Sequence, residues 1–403
     1  MRHLLALVAI LATFGAAPAP ALEPLAAPDA DPPSIFTGYW LALGWPELPP
    51  RGPAASRGLV FWSHGVSGDR PQYQAPPHEA VRRLAEAGWD VVKIQRNPTF
   101  EAFGSWTVGG VRHVADLARR AEEAKTEGYA RVIAAGQSYG GAISIEASGR
   151  TAAIDAVLAF VPGHGSDAAT TSHARSYENL THMLVDGIGD MKAARVALLI
   201  AGDDPLHPHE RRGPRLHAAL QRLAVPFTLF DETMPIKGHG AGATRQFDAW
   251  YGECLHEFLE REDRRPGETV CVPPDPLPAF LLPRRLLVAS APSELPPSHA
   301  RLAGAWSGRY PTDGDREVLV ALERIDARGA RLVYAVGSGP SGSLDMGWGR
   351  WDARWEGDSL FARSVTGNTI TLTARRDGGI DLVYALPDGS RTWPAQLTPH
   401  ALD

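Results

Sequence analysis

The pattern of apolar and polar positions changes character near residue 300, and that change divides the chain. Up to about residue 262, short apolar runs alternate with stretches of helical spacing. Gly58 to Ser63, Trp89 to Gln95, Arg131 to Ala135, Ala156 to Val161, Val196 to Ala201 and Pro226 to Asp231 are short, apolar and flanked by polar or glycine-rich segments, as buried strands are. The clearest helix is Val111 to Glu127, where Val111, Val114, Ala115, Leu117, Ala118 and Ala121 share one face beside Arg119, Arg120, Glu122 and Glu123. His78 to Ala87, Gly141 to Ser148, His209 to Leu223 and Thr244 to Glu262 read as further helices. Repeated strand, helix, strand units predict right-handed crossovers and a doubly wound, mostly parallel α/β sheet covered on both faces.

Beyond residue 301 the helical spacing disappears. Eight short alternating segments follow, from Trp306 to Tyr310 through Arg391 to Leu397, punctuated by Gly and Asp. They predict a small all-β barrel or sandwich. Val318, Val320 and Leu322 share one face of their strand, and Trp351, Ala353 and Trp355 alternate with Arg350, Asp352 and Arg354, so these tryptophans are expected to point inward. The expected organisation is a leader at 1–21, a linker and edge element at 22–57, a catalytic α/β domain at 58–272, a proline-rich linker or surface strap at 273–300 and the β domain at 301–403.

Composition narrows the partners. The chain has 403 residues, 44% apolar and 21% charged, enough for a large core, and its formal charge of -6 is interspersed, with no basic stripe to recommend a nucleic-acid partner. Met1-Arg2-His3, the apolar run Leu4 to Phe14 and the ending Ala19-Pro20-Ala21 have the three parts of a secretory signal peptide, with cleavage expected after Ala21. No later stretch is long and apolar enough to span a bilayer, so the mature protein is expected to be soluble in the periplasm or medium. Disulfides persist there, and the only two cysteines, Cys254 and Cys271, are expected to pair.

The chemistry-bearing pattern is Gly136-Gln137-Ser138-Tyr139-Gly140, entered from an apolar strand and leading into a helix. A tight strand-to-helix turn lifts a serine hydroxyl clear of the sheet edge, and its flanking glycines permit close backbone approach. Serine needs a base to take its proton and an acid to orient that base. In chain order after the serine, Gly202-Asp203-Asp204-Pro205 closes one strand and Lys237-Gly238-His239-Gly240 follows the next. His239 is the expected base and Asp204 its orienting acid, with Asp203 and Asp231 as rival acids and His164 as a rival base or pocket residue. The strand Leu59 to Ser63 runs into His64-Gly65-Val66, so the amides of Val66 and Tyr139 are the expected oxyanion hole, and His64 is expected to pin that loop.

Ser-His-Gly at 63–65, Gly-Gln-Ser-Tyr-Gly-Gly at 136–141, Gly-Asp-Asp-Pro at 202–205 and Gly-His-Gly at 238–240 resemble the α/β-hydrolase superfamily, particularly its dienelactone-hydrolase-like and serine esterase branches. The resemblance covers 58–262 and implies a triad of Ser138, Asp204 and His239 with no metal or organic cofactor. Dienelactone hydrolases typically carry a nucleophilic cysteine, whereas this chain has Ser138. The Gly-x-Trp-x-Gly run at 304–308 and the strand number resemble lipocalin-like barrels. The expected activity is hydrolysis of a small-molecule carboxylic ester. A peptidase or amidase of the same machinery, or a non-catalytic binding protein acting through the β domain, are the alternatives. Ser172 to Met191 is expected to form a small lid, with Tyr177, Leu180, Met183 and Leu184 as pocket walls or sheet packing, and Phe100, Phe103 and Trp106 as acyl contacts or a satellite core.

Overall fold

The computed structural model describes residues 41–45, 47–65, 76–96, 110–163, 173–205, 212–283, 286–313, 315–337, 346–364 and 366–402. The leader expected at 1–21, the aromatics at 100, 103 and 106, and the side chains of Tyr177 and Leu180 lie outside the described residues. The chain divides into two compact units at Pro274 and Asp275.

The first unit holds an eight-stranded sheet. Its strands are β1 (Leu41–Leu43), β2 (Leu59–Ser63), β3 (Asp90–Ile94), β4 (Val132–Gln137), β5 (Ala156–Phe160), β6 (Arg195–Leu199), β7 (Pro226–Phe230) and β8 (Gly267–Glu268). They lie in the order β1-β3-β2-β4-β5-β6-β7-β8. Every pairing is parallel except that of β1 with β3. Burial on both faces is why β2 and β5 read as near-continuous apolar runs rather than alternating ones, and why Asp90 and Lys93 of β3 and Arg195 of β6 are buried as well.

The connecting helices are α1 (Glu79–Glu86), α2 (Val111–Thr126), α3 (Tyr139–Arg150), α4 (His173–Gly189), α5 (Gly213–Leu223) and α6 (Arg245–Glu260). The apolar stripe of α2, including Val114, Leu117, Ala118 and Ala121, joins Val132 and Ala134 of β4 and Ile143 of α3 in one core. Leu184 of α4 lies in the same core, so it packs against the sheet. Thr244 caps α6 by accepting the Phe247 N–H at 3.1 Å. At the other end, Arg195 donates to the carbonyl of Phe258 in the last turn, which the helix itself leaves open, and to those of Arg261 and Asp263 just beyond it. Cys254 of α6 is bonded to Cys271 with a Cα–Cα distance of 5.8 Å, tying the segment after α6 back to the helix.

The second unit is a closed antiparallel barrel of eight strands: β9 (Ala305–Tyr310), β10 (Arg316–Asp326), β11 (Gly329–Val336), β12 (Gly347–Glu356), β13 (Ser359–Arg363), β14 (Thr369–Ala374), β15 (Ile380–Ala385) and β16 (Thr392–Pro399). Pairing of β16 with β9 closes it, which selects the barrel over the sandwich. Val318, Val320 and Leu322 lie in its core, and Trp351, Ala353 and Trp355 pack against that core. The opposite face of β10 is buried too: Leu319 and Ala321 pack with Phe280, Leu282 and Leu286. Trp306 donates from its indole to Leu302 O at 3.0 Å, and a side chain at Gly308 would meet Gln396 O at 2.2 Å. Both residues of the Gly-x-Trp-x-Gly run are therefore set by barrel packing.

Candidate active site

At the end of β4 the chain reverses into α3 within one residue, Ser138, whose φ of 53° and ψ of -118° lie outside the ordinary allowed regions. A non-glycine residue held this way stores strain of about 1–3 kcal/mol, which the surroundings must impose. Here the backbone of Ser138 is held at both ends: its N–H donates to Phe160 O at 2.9 Å, and its carbonyl accepts from Gly163 N at 3.0 Å. The neighbouring glycines are fixed by contact. A Cβ at Gly140 would lie 1.9 Å from Ser63 O, and one at Gly136 would lie 2.4 Å from the Gly140 carbonyl. The turn therefore packs its backbone directly against the end of β2.

The structure brings His239 and Asp204 together. His239 Nδ1 donates to Asp204 Oδ2 at 2.9 Å, and the carboxylate side chain is fully buried while the imidazole keeps 18% exposure. Their loops are joined by backbone as well, since Gly238 N donates to Gly202 O at 2.7 Å and Gly202 pairs with Lys237 in a parallel bridge. Gly238 adopts a φ of 83°, which a side chain would resist. The rival carboxylates have other surroundings. Asp203 has a φ of 53° and is exposed. Asp231 accepts from Thr233 N at 2.9 Å and from Thr233 Oγ1 at 2.7 Å, closing its own turn. His164 and Val66 lie outside the described residues.

Gln137 links the serine turn to the base. Its Nε2 donates to His239 O at 3.4 Å, while its Oε1 lies 2.6 Å from where a Cβ on Gly65 would stand. Tyr139, the first residue of α3, is buried and bonds His113 Nδ1 through its hydroxyl at 3.2 Å. Its amide belongs to the first helical turn, whose N–H groups have no intrahelical acceptor and face the helix entrance.

A buried cation supports the loop after β2. Arg96 donates to Ser63 Oγ at 2.7 Å and to Gly65 O at 3.0 Å, and its guanidinium stands over the Tyr139 ring at 5.1 Å. His64 Nδ1 lies 2.7 Å from the same Gly65 carbonyl and 2.9 Å from Arg96 Nη2, so the imidazole is fixed within this loop beside the guanidinium. Burial, reinforced by the Arg96 charge, pushes His64 down to about 2 and keeps the ring neutral. His113 is pushed down to about 4 by the same two causes. A second buried cation, Arg212, stands on the other side of the turn: Nη2 donates to Pro162 O, and burial pushes the group down to about 10 against the opposing pull of Asp204.

Sequence reasoning missed Arg96, Gln137 and Arg212. Arg96 had one available signal, its position just past the carboxyl end of a buried strand, where α/β sheets collect their functional groups. Among the described residues, no group of three or more His, Cys, Asp or Glu side chains is placed to hold a metal ion.

Strand order, the single antiparallel edge strand and the strained serine turn after β4 together define the architecture. The first unit has the α/β-hydrolase fold. No protein-family profile matches the chain, and no curated protein matches it. Among solved structures, similarity extends to dipeptidyl peptidase 4 of Porphyromonas gingivalis, at 14% identity over 50% of this chain and 30% of that one, with a TM-score of 0.37. A puromycin-hydrolyzing peptidase of Mycobacterium tuberculosis matches at 19% identity over 53% of this chain and 36% of its own, with a TM-score of 0.37. An esterase of Pyrococcus furiosus matches at 16% identity over 51% of this chain and 83% of its own, with a TM-score of 0.36. This chain thus spans about a third of the length of the two peptidases.

Proposed function

We propose that the chain is a serine hydrolase acting on small-molecule carboxylic esters, with Ser138 as nucleophile, His239 as general base and Asp204 as the group that orients it. The observation that carries this reading is the strained Ser138 turn, with Gly136 and Gly140 pressed against neighbouring backbone, beside a buried Asp204–His239 pair. Strain imposed from both sides on one serine has no packing benefit, and it lifts a hydroxyl above the sheet edge.

In the proposed reaction Ser138 Oγ attacks the ester carbonyl while His239 Nε2 takes its proton. The bond to the alcohol breaks, and His239 returns the proton to the departing oxygen. Water, deprotonated by the same imidazole, then releases the acid and restores the serine. Asp204 holds Nδ1–H, so that Nε2 carries the lone pair, and stabilises the imidazolium. The amides of Tyr139 and Val66 receive the developing oxyanion, each donor contributing about 3 kcal/mol to transition-state stability. We further assign the chain to an oxidising compartment outside the cytoplasm, reached through a cleaved leader at 1–21; the Cys254–Cys271 bond supports this.

The test pairs a fluorophosphonate probe with aryl esters of graded acyl length, on the full chain and on Ser138→Ala. Covalent labelling and turnover are expected in the first and neither in the second. Ser138-independent turnover, or none in the natural chain, overturns the reading.

A further inference from the structure

Arg212 is the largest fully buried side chain among the described residues, a charged group 1% exposed just ahead of α5. Its Nη2 crosses 50 residues of sequence to Pro162 O, while Nε and Nη1 are buried with no hydrogen-bond partner. A guanidinium so incompletely satisfied is costly to bury, which calls for a compensating role.

The segment it reaches is itself strained. Val161 has a φ of 44°. For a β-branched residue this conformation is a genuine outlier, and the proline that follows disfavours the helical regions further. Val161 is nonetheless held, with its N–H on Leu199 O at 2.8 Å and its side chain buried. The reversal turns the Pro162 carbonyl to Arg212 and presents Gly163 N–H to Ser138 O at 3.0 Å. Pro162 also closes on α3, its Cα lying 3.2 Å from where a side chain on Gly141 would begin. The strap 161–163 thus touches the nucleophile turn on one side and the buried cation on the other.

We propose that Arg212 is a positioning residue that clamps the Val161-Pro162-Gly163 strap beneath the nucleophile turn and so holds Ser138 in its strained conformation. Asp204 supplies the countercharge that makes a buried guanidinium tolerable there, and its attraction opposes the loss of the arginine proton caused by burial. The acid of the proposed triad and the strap under the nucleophile therefore share one cation. The catalytic half of this inference rests on Ser138 being the nucleophile; the structural half does not.

Two readouts keep those halves apart. The first is amide exchange at Gly163, whose N–H reports the strap directly; the second is the rate of fluorophosphonate labelling. Arg212→Met is expected to accelerate Gly163 exchange at least tenfold and to slow labelling about a hundredfold, the scale expected for an ångström-sized misplacement. Arg212→Lys, which keeps charge and one donor, should fall between Met and the natural residue. In Val161→Gly the steric cost of the strap conformation is removed, so with Arg212 in place Gly163 protection should persist, and adding Arg212→Met there should slow labelling by tenfold or less. Unchanged Gly163 exchange in Arg212→Met overturns the proposal, as does loss of protection in Val161→Gly alone, which remains decisive should Arg212→Met not fold. If exchange responds while the natural chain is not labelled, the clamp stands and the proposed nucleophile falls.

Discussion

The α/β unit and the barrel bury different kinds of side chain. Tyrosine and tryptophan aside, every buried polar or charged side chain among the described residues, from Ser63 to Gln246, lies in the α/β unit. The barrel closes around Leu, Ile, Val, Ala and aromatic residues, and where it buries hydroxyls, Tyr310 and Tyr334 bond each other at 2.9 Å. Burying an ionised group costs several kcal/mol before compensation, so a fold that needs only packing avoids it. The barrel shows that this chain can build a closed core without such groups. Arg96, Asp204 and Arg212 are consequently poorly explained as stability devices, and all three sit beyond the carboxyl ends of β3 and β6 or ahead of α5, around the serine turn. The contrast extends to glycine. A Cβ at Gly329 would stand 2.0 Å from Ala353 O, and glycine there completes a strand pairing, whereas a Cβ at Gly140 would stand 1.9 Å from Ser63 O, and glycine there presents a serine.

The largest expected effect breaks this contrast if it fails. Asp204→Asn keeps the size of the buried group but presents an amide to His239, which favours the wrong tautomer, and kcat for ester hydrolysis should fall by about 10⁴-fold. Asp203→Asn, at the adjacent exposed position, should stay within a few-fold of the natural chain. Steady-state kinetics on both variants decides it. Equal activity in Asp204→Asn would make the buried carboxylate as structural as the barrel's leucines.

What was legible in the sequence follows the same division. Alternation along a strand is a local signal, so all eight barrel strands could be read, and the six buried strands of the sheet were equally clear. Closure was not legible, because it depends on β16 meeting β9 across the whole domain. Nor was the burial of Leu319 and Ala321, whose cover comes from a proline-rich segment with no periodicity of its own. The helix after Ser138 starts at Tyr139, two residues earlier than Gly141, because tertiary approach to Ser63 overrides the poor helical propensity of Gly140 and Gly141. At the site, motif spacing named Ser138 and His239, but adjacent Asp203 and Asp204 were hard to rank. A left-handed backbone at Asp203 separates them, leaving it exposed and its neighbour buried against the imidazole. Arg212 was invisible because a single arginine carries no pattern, and Arg96 was marked only by its place after a buried strand; the folded path alone reveals that water has been removed from around them.

A smaller effect sharpens the contrast from the barrel side. Leu372 is fully buried in the barrel core, and Leu372→Ala should lower stability by about 2–5 kcal/mol through lost burial and the cavity left behind. The described barrel core holds no buried group that titrates near neutrality, so this penalty should be the same at pH 5.5 and pH 7.5. Urea titrations of the full chain, followed by tryptophan fluorescence, measure it at both values. A penalty that changes with pH would reveal a buried titratable group coupled to that core.

The smallest expected effect belongs to the polar unit and has the opposite pH behaviour. His64 and His113 are pushed down to about 2 and about 4 by burial and by the Arg96 charge. In the unfolded chain each returns to its ordinary value near 6.5 and takes up a proton that the folded protein refuses. Because the unfolded state then binds more protons, stability is complete above about pH 6.5 and is lost as the pH falls below it, by about 1.4 kcal/mol for each histidine by pH 5.5. His64→Asn removes one of these proton sinks. It should lower stability at pH 7.5 through its lost packing, yet reduce the drop between pH 7.5 and pH 5.5 by about 1.4 kcal/mol relative to the natural chain. Denaturant midpoints at the two pH values, compared between variant and natural chain, isolate that difference from any general weakening. An undiminished drop would mean that His64 is protonated in the folded protein, and the neutral, loop-pinning imidazole beside Arg96 would have to be abandoned.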